Sequence, residues 1–399
     1  MTLQSRRQAL QSMLIVSAGL LAGCLGTNDN SASRGSGNEP TSAKPVESQE
    51  QGTAPPSTTR TPPGSNWTQL GGDPAHTGVA DSGPQNPRVV WTLNLHEKIT
   101  GEPIYADGTL YLSTSSSVVA LDAVTGTRHW STSLEGGVHG PPALSGSTLY
   151  VSSRRLMAVD ANSGDILWTA NGAGEPSAPP ALSQGSIYVP CRDKRLYSLS
   201  VGDGAVQWKT TSRHSKSLAA CAVGPSKVYL GIPTGLVAHH RDNGARAWNA
   251  LDSSIPGVPS VESGRVFVGS SNKHLVAISA NGEKLWSKTV GNRMNLSPSI
   301  FEDSVIVAEG LSKIQKFRTN NGSSEWSSSL KKTASSAVAL TANAVYAGTA
   351  NGSVVAVGQE RGIELWRHAI PEAQHVRVAV AGGWLFATGD DGTVTALAD

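Results

Sequence analysis

The sequence predicts an all-β fold, an eight-bladed β-propeller of four-stranded blades closed by an N-terminal strand. Three observations carry this. A tryptophan returns every 38 to 40 residues, a glycine stands four positions ahead of it in seven of eight copies, and two short alternating apolar runs lie between successive tryptophans. The tryptophans are Trp91, Trp130, Trp168, Trp208, Trp248, Trp286, Trp326 and Trp366, and the glycines are Gly126, Gly164, Gly204, Gly244, Gly282, Gly322 and Gly362. A fixed period of this length is the signature of a repeat architecture, in which no unit buries its apolar faces alone.

Each unit resolves into four strands. The first is a run of small residues such as Gly140–Leu144, and the second is an alternating run such as Thr109–Leu112, Thr148–Val151 or Lys227–Leu230. The third is a run such as Val118–Asp122 or Leu156–Asp160, and the fourth carries the tryptophan. β-Branched and aromatic runs bounded by Gly, Asn, Asp and Ser are strands joined by hairpin turns. Such sheets bury both faces when set radially around an axis. The phase of the repeat supplies closure: the chain enters with a tryptophan strand, Arg88 to Leu95, and stops after the third strand of its last unit, so the first strand completes the last blade.

Ahead of the repeats the chain divides in two. Residues 1–23 read as an export signal, with Arg6 and Arg7 followed by an apolar run, Met13 to Gly23, that is too short to span a bilayer. Its end, Leu21-Ala22-Gly23-Cys24, resembles the lipobox of bacterial and archaeal lipoproteins, which implies lipidation of Cys24 and cleavage before it. The paired arginines resemble a twin-arginine signal, with Sec export as the alternative. Residues 24–65 are rich in Ser, Thr, Pro, Gly and Asn and poor in large apolar side chains, the composition of a disordered tether reaching about 35 Å. The propeller takes residues 66–399. The expected location is extracytoplasmic, lipid-anchored to the outer face of the cell membrane.

Composition narrows the partners. Lys plus Arg (32) nearly balances Asp plus Glu (30), so no overall field attracts nucleic acid. Three cysteines, Cys24, Cys191 and Cys221, include no CxxC or adjacent pair, and Cys191 and Cys221 are expected to be free thiols. His76 has no second ligand at metal spacing, and the adjacent His239 and His240 face opposite sides of a strand. Asp390-Asp391-Gly392 is turn chemistry. No metal site is expected. Sequons begin at Asn66, Asn295, Asn321 and Asn351, where Asn is also ordinary turn composition.

The unit Ala120-x-Asp122-x-x-Thr125-Gly126-x-x-x-Trp130, repeated at Ala158 to Trp168, resembles the tryptophan-docking repeat of the pyrroloquinoline quinone (PQQ) propellers, of the WD40/YVTN-like repeat superfamily. Later copies are looser; those at Ser198 and Lys316 lack the alanine. A lead-in, Trp67-x-x-x-Gly71-Gly72-Asp73-x-x-His76-Thr77-Gly78, is similar to the start of many PQQ-like lipoproteins. The resemblance covers Trp67 to the C-terminus and implies that each tryptophan packs between neighbouring blades. It has two functional branches, quinoprotein dehydrogenases and non-enzymatic scaffolds of the BamB type. The dehydrogenases carry adjacent cysteines in a ring disulfide and hold calcium beside PQQ, and this chain has neither a Cys-Cys pair nor an acidic insertion. The leader and tether are similar to those of haloarchaeal surface lipoproteins.

The resulting expectation is an exported, membrane-anchored lipoprotein whose propeller is a non-catalytic protein-interaction or ligand-binding scaffold. It is expected to be monomeric, without cofactor, and to dock other extracytoplasmic proteins. The alternative is a PQQ-binding quinoprotein oxidoreductase or sensor, with calcium. The stretches entering the inner strands carry His139, Lys216, Arg293, Lys332, His375 and Arg377 against Glu175. They mark a candidate basic channel mouth for an anionic ligand, set against the plainer reading of solvated turn charges.

Overall fold

A computed structural model of the chain describes residues 61–62, 64–211, 220–291, 296–309 and 312–399. Arg6, Arg7, Cys24, Lys216, Arg293 and Asn295 lie outside the described residues. Blade 1 consists of Ile104–Ala106, Thr109–Ser113, Ser117–Asp122 and Arg128–Ser133, each antiparallel to the next. Blades 2 to 7 repeat this order, their inner strands being Ala143–Ser145, Ala181–Ser183, Cys221–Val223, Ser260–Glu262, Ser299–Phe301 and Ala339–Leu340. Blade 8 is made of Arg377–Ala381, Trp384–Thr388 and Thr393–Ala398, and its outer strand is Arg88–Asn94. That strand pairs with Thr393–Ala398, from Arg88 opposite Ala398 to Asn94 opposite Thr393. The Asp399 carboxylate adds a clasp by accepting the Gln85 and Asn86 N–H groups at 2.9 and 2.6 Å.

The middle strands are buried on both faces, as radial packing requires: Thr109–Ser113 and Ser117–Asp122 expose little beyond their terminal residues. Every outer strand carries a β-bulge next to its tryptophan; in blade 1, Ala120 faces Trp130 while Leu121 faces Arg128. The same shift recurs in blades 2 to 7, and in blade 8 it lies between Val89 and Trp91. A bulge bends and re-aims its strand locally, here beside the indole.

Each indole then reaches the next blade. Gly126 lies under Trp91, Gly164 under Trp130, and so on to Gly362 under Trp326, always one repeat ahead. A Cβ added at these seven glycines would stand 2.4 to 2.9 Å from a ring atom, and all seven have φ between +67° and +92°. Only glycine meets both conditions without strain. The indole N–H groups of Trp91, Trp130, Trp248, Trp286 and Trp326 donate to the carbonyls of Ala123, Ala161, Ala280, Thr319 and Gln359 in the following blade, at 2.9 to 3.0 Å. Trp208 donates to Arg241 O at 2.9 Å. Trp366 has no repeat glycine ahead of it; its N–H reaches Pro84 O at 3.2 Å, just before the closing strand. In blades 1 to 5 and in blade 7 a second aromatic supports the ring, as in Tyr229 against Trp248, with centroids 5.8 Å apart.

Gly244→Ala and Gly264→Ala separate the two demands on the repeat glycine. Both positions have positive φ, +70° and +75°, but the new methyl at 244 meets the Trp208 ring at 2.4 Å whereas 264 has open space. Denaturant titration should show a loss of about 1 kcal/mol for Gly264→Ala and a clearly larger loss, roughly 2–4 kcal/mol, for Gly244→Ala. Equal losses would remove the indole contact as the reason for glycine.

Candidate functional site: the axial chamber

Eight inner strands facing one axis leave eight rows of backbone donors without a sheet neighbour, and buried N–H groups must find acceptors. The lead-in supplies them in chain order. Trp67 and Tyr105 exchange backbone hydrogen bonds at 2.7 and 2.8 Å in blade 1, and Thr68 O accepts from Leu144 N–H in blade 2. The side chain of Gln69 accepts from Leu182 N–H at 3.0 Å in blade 3. Pro74, Ala75 and Thr77 carbonyls then accept from Val223, Val261 and Ile300 in blades 4, 5 and 6. Gly78 O and Ala80 N–H bracket Leu340 in blade 7, and Ser82 O accepts from Gly383 at the first turn of blade 8. Sixteen residues, Trp67 to Ser82, thus touch every blade once around the axis.

The path depends on tight local geometry. Gly71, Gly72 and Gly78 have φ of +69°, +81° and +74°. Asp73 accepts from Ala75 N–H at 2.8 Å and from the Thr77 hydroxyl, closing a turn that presents the Pro74, Ala75 and Thr77 carbonyls outward. The His76 ring is buried, with Nδ1 2.4 Å from where a Gly71 Cβ would stand. Close packing against Gly71 therefore places the ring. The end of the expected tether also joins the ring, because Thr61 O accepts from Trp384 Nε1 and Ser65 Oγ reaches Asp81 and Gly382 N–H.

The lead-in floors an axial chamber of about 300 Å³. Leu70 and His76 form its floor, and its wall takes residues from all eight blades, among them Glu102, Pro141, Pro179 and Arg377. Two ionisable side chains of opposite sign define its electrostatics. Glu102 is buried, 8% exposed, and burial pushes its carboxyl up to about 7, against the opposing help of the Gly71 N–H and the Arg377 charge. Burial also depresses the His76 imidazole to about 4, so this ring is neutral at ordinary pH.

The residues expected at a basic mouth are distributed differently. Arg377 lines the chamber, and its Nη1 is buried without a partner among the described residues. His139 stands in a blade-to-blade connection, where burial and then the Arg192 charge lower its pKa while Glu175 raises it. Glu175 itself pairs with Arg192 at 2.7 Å. His375 is exposed and sits 3.2 Å from Asp390 Oδ2, and Lys332 is exposed. Of the four described members only Arg377 lines the chamber. Sequence reading passed over Glu102, Leu70 and Gln69; the glycine cluster at 71, 72 and 78 was the signal that this segment makes close turns.

The chamber's chemistry is a poor match to a PQQ–calcium pair. A tricarboxylate would meet a single described guanidinium and a buried carboxyl, and among the described residues no three His, Cys, Asp or Glu side chains gather to hold a metal. Cys191 and Cys221 are buried and free, and burial pushes both thiols up to about 12, far from the thiolate form at neutral pH. His239 is buried and bonds Gly244 O at 3.0 Å, while His240 is exposed, so the pair does face apart.

A family model described as outer membrane protein assembly factor BamB matches residues 76–221, 115–254 and 233–377. No curated protein matches the sequence. Among solved structures, BamB from Moraxella catarrhalis superposes with a TM-score of 0.67 at 18% identity, covering 78% of this chain and all of that one. The computationally designed protein Ika8 gives 0.69 at 14% identity, covering 83% of this chain and all of its own. The quinohemoprotein alcohol dehydrogenase of Comamonas testosteroni gives 0.70 at 14% identity, covering 84% of this chain and 80% of its own. At these identities the likeness is one of fold.

Glu102 makes the chamber's stability pH-dependent. Its folded pKa lies above the unfolded value of 4.5, so it favours folding least where the unfolded carboxyl is ionised and the folded one resists ionisation. Glu102→Gln should raise the unfolding free energy at pH 8 by on the order of 2–3 kcal/mol and leave it nearly unchanged at pH 4, the gain growing between about 4.5 and 7. Denaturant titrations of both proteins across this range test it; a gain independent of pH would mean that Glu102 ionises freely.

Proposed function

Because the chain belongs to the family of the outer membrane protein assembly factor BamB, we propose that it is a non-catalytic scaffold, exported and lipid-anchored through Cys24, that docks other extracytoplasmic proteins. The observation that carries this reading is the self-occupied axis. The chain's own lead-in accepts one inner-strand N–H from each of blades 1 to 7 and a turn N–H from blade 8, and floors the channel, leaving rims, outer edges and blade connections as the surface for partners. A chamber holding one guanidinium beside a buried carboxyl lends no support to a quinone cofactor. The leader ending in Cys24 and the following polar tether support anchoring with freedom to reach partners.

Cys24→Ser should move the full-length protein out of the membrane fraction of expressing cells, with no change in thermal midpoint; persistence in that fraction would remove lipid anchoring from the reading. Photo-crosslinking residues introduced around the outer strands should yield discrete adducts with exported proteins. Titration with PQQ, with and without calcium, followed by calorimetry and absorbance, should show no binding. Stoichiometric, calcium-dependent binding would replace the scaffold with a quinoprotein.

A further inference from the structure

Outer strands of a propeller are free edges, and natural edges are protected from pairing by charged side chains. Seven of the eight here follow that rule, through Arg88, Arg128, Lys209, Arg246, Lys284, Glu325 and Glu364 in their respective strands. The outer strand of blade 2, Ile166–Thr169, carries no charge at all. Two of its four side chains are large, apolar and exposed, Ile166 at 48% and Leu167 at 53%. The other exposed large apolar residues, Val89, Leu285, Ile363 and Leu365, sit on or directly beside strands that keep a charge, Ile363 and Leu365 flanking Glu364.

The same strand borders a cleft of about 560 Å³ between blades 1 and 2. Its lining is mixed: Leu134, Met157 and Ile166 supply the apolar part, Ser133 and Thr169 the hydroxyls, and Glu135, Arg154 and Arg155 stand at its rim. Both arginines are exposed, and Arg155 Nη1 is steadied by Asn171 Oδ1 at 2.6 Å. Two guanidinium groups against one carboxylate make the rim positive.

From the uncharged edge with its two exposed apolar side chains, the cleft beside it and this rim, we propose that the outer edge of blade 2 receives an extended acidic segment of another exported protein by strand addition. The inference rests on the scaffold reading and names its docking edge. Backbone hydrogen bonds to Ile166–Thr169 supply affinity, alternate apolar side chains of the incoming strand enter the cleft, and its carboxylates meet Arg154 and Arg155. A second copy of this chain pairing through the same edge is the rival occupant, which the test separates by its dependence on protein concentration.

The probe is a capped, fluorescein-labelled ten-residue peptide alternating valine and glutamate, titrated into the full-length protein by anisotropy. Saturable binding is expected. It should weaken about tenfold or more, roughly 1.4 kcal/mol or above, in Leu167→Lys and in the Arg154→Ala, Arg155→Ala double variant, and be unchanged in Leu365→Lys on blade 7. N-methylation of alternate peptide residues should abolish it. No binding, or equal binding to Leu167→Lys, overturns the proposal; so does concentration-dependent dimerisation of the protein that Leu167→Lys removes. Crosslinking in cells separates the two levels. Adducts that survive Leu167→Lys unchanged sink this edge and spare the scaffold, whereas no adducts from any outer strand sink the scaffold while the peptide titration still decides the edge.

Discussion

The contact on which the ring depends is the tryptophan of one blade laid on the glycine of the next, with its N–H on that blade's turn carbonyl. It joins a directional bond to close packing, and a side chain at the glycine would break both. Neighbouring blades share no sheet hydrogen bonds between their middle strands, so this contact supplies orientation that apolar burial, which is non-directional, cannot. At the seam the pattern changes: Trp366 uses Pro84 O, and the sheet pairing of Arg88–Asn94 with Thr393–Ala398 completes what the repeat leaves open. The ring is therefore held by one repeated device and closed by another.

Most of this was legible in the residues. The tryptophan–glycine spacing gave blade number, and the late stop after Ala398 gave the seam, because both are encoded by local pattern and period. The lead-in was harder to read. Its glycines were visible, but its role depends on an axis formed by eight distant strands, and no local period records that Pro74, Ala75 and Thr77 each face a different blade. Glu102 was invisible for a related reason: a single carboxylate after a glycine looks like a solvated turn residue until the ring closes over it. Likewise His139 and His375 each stand nine residues after a repeat tryptophan whereas Arg377 and Glu102 stand eleven after theirs, and of these four only the later two line the chamber.

The edges tell a complementary story about charge. In outer strands, where packing asks little of alternate residues, Lys, Arg and Glu are placed where they keep a free edge unpaired. Inner edges are served by the lead-in backbone. The chain thus handles the same liability, unpaired strand edges, by electrostatics on the outside and by self-completion at the axis, and blade 2 stands apart on the outside.

The seam sets an order of events in time. Arg88–Asn94 and the lead-in are synthesised before any blade they serve, and the partner strand Thr393–Ala398 comes about 300 residues later. At roughly 5–20 residues per second the gap is on the order of 15–60 s. For that interval the nascent chain holds an unpaired strand and an unspent set of acceptors, so premature pairing is a kinetic hazard that falls on Arg88–Asn94 and the lead-in.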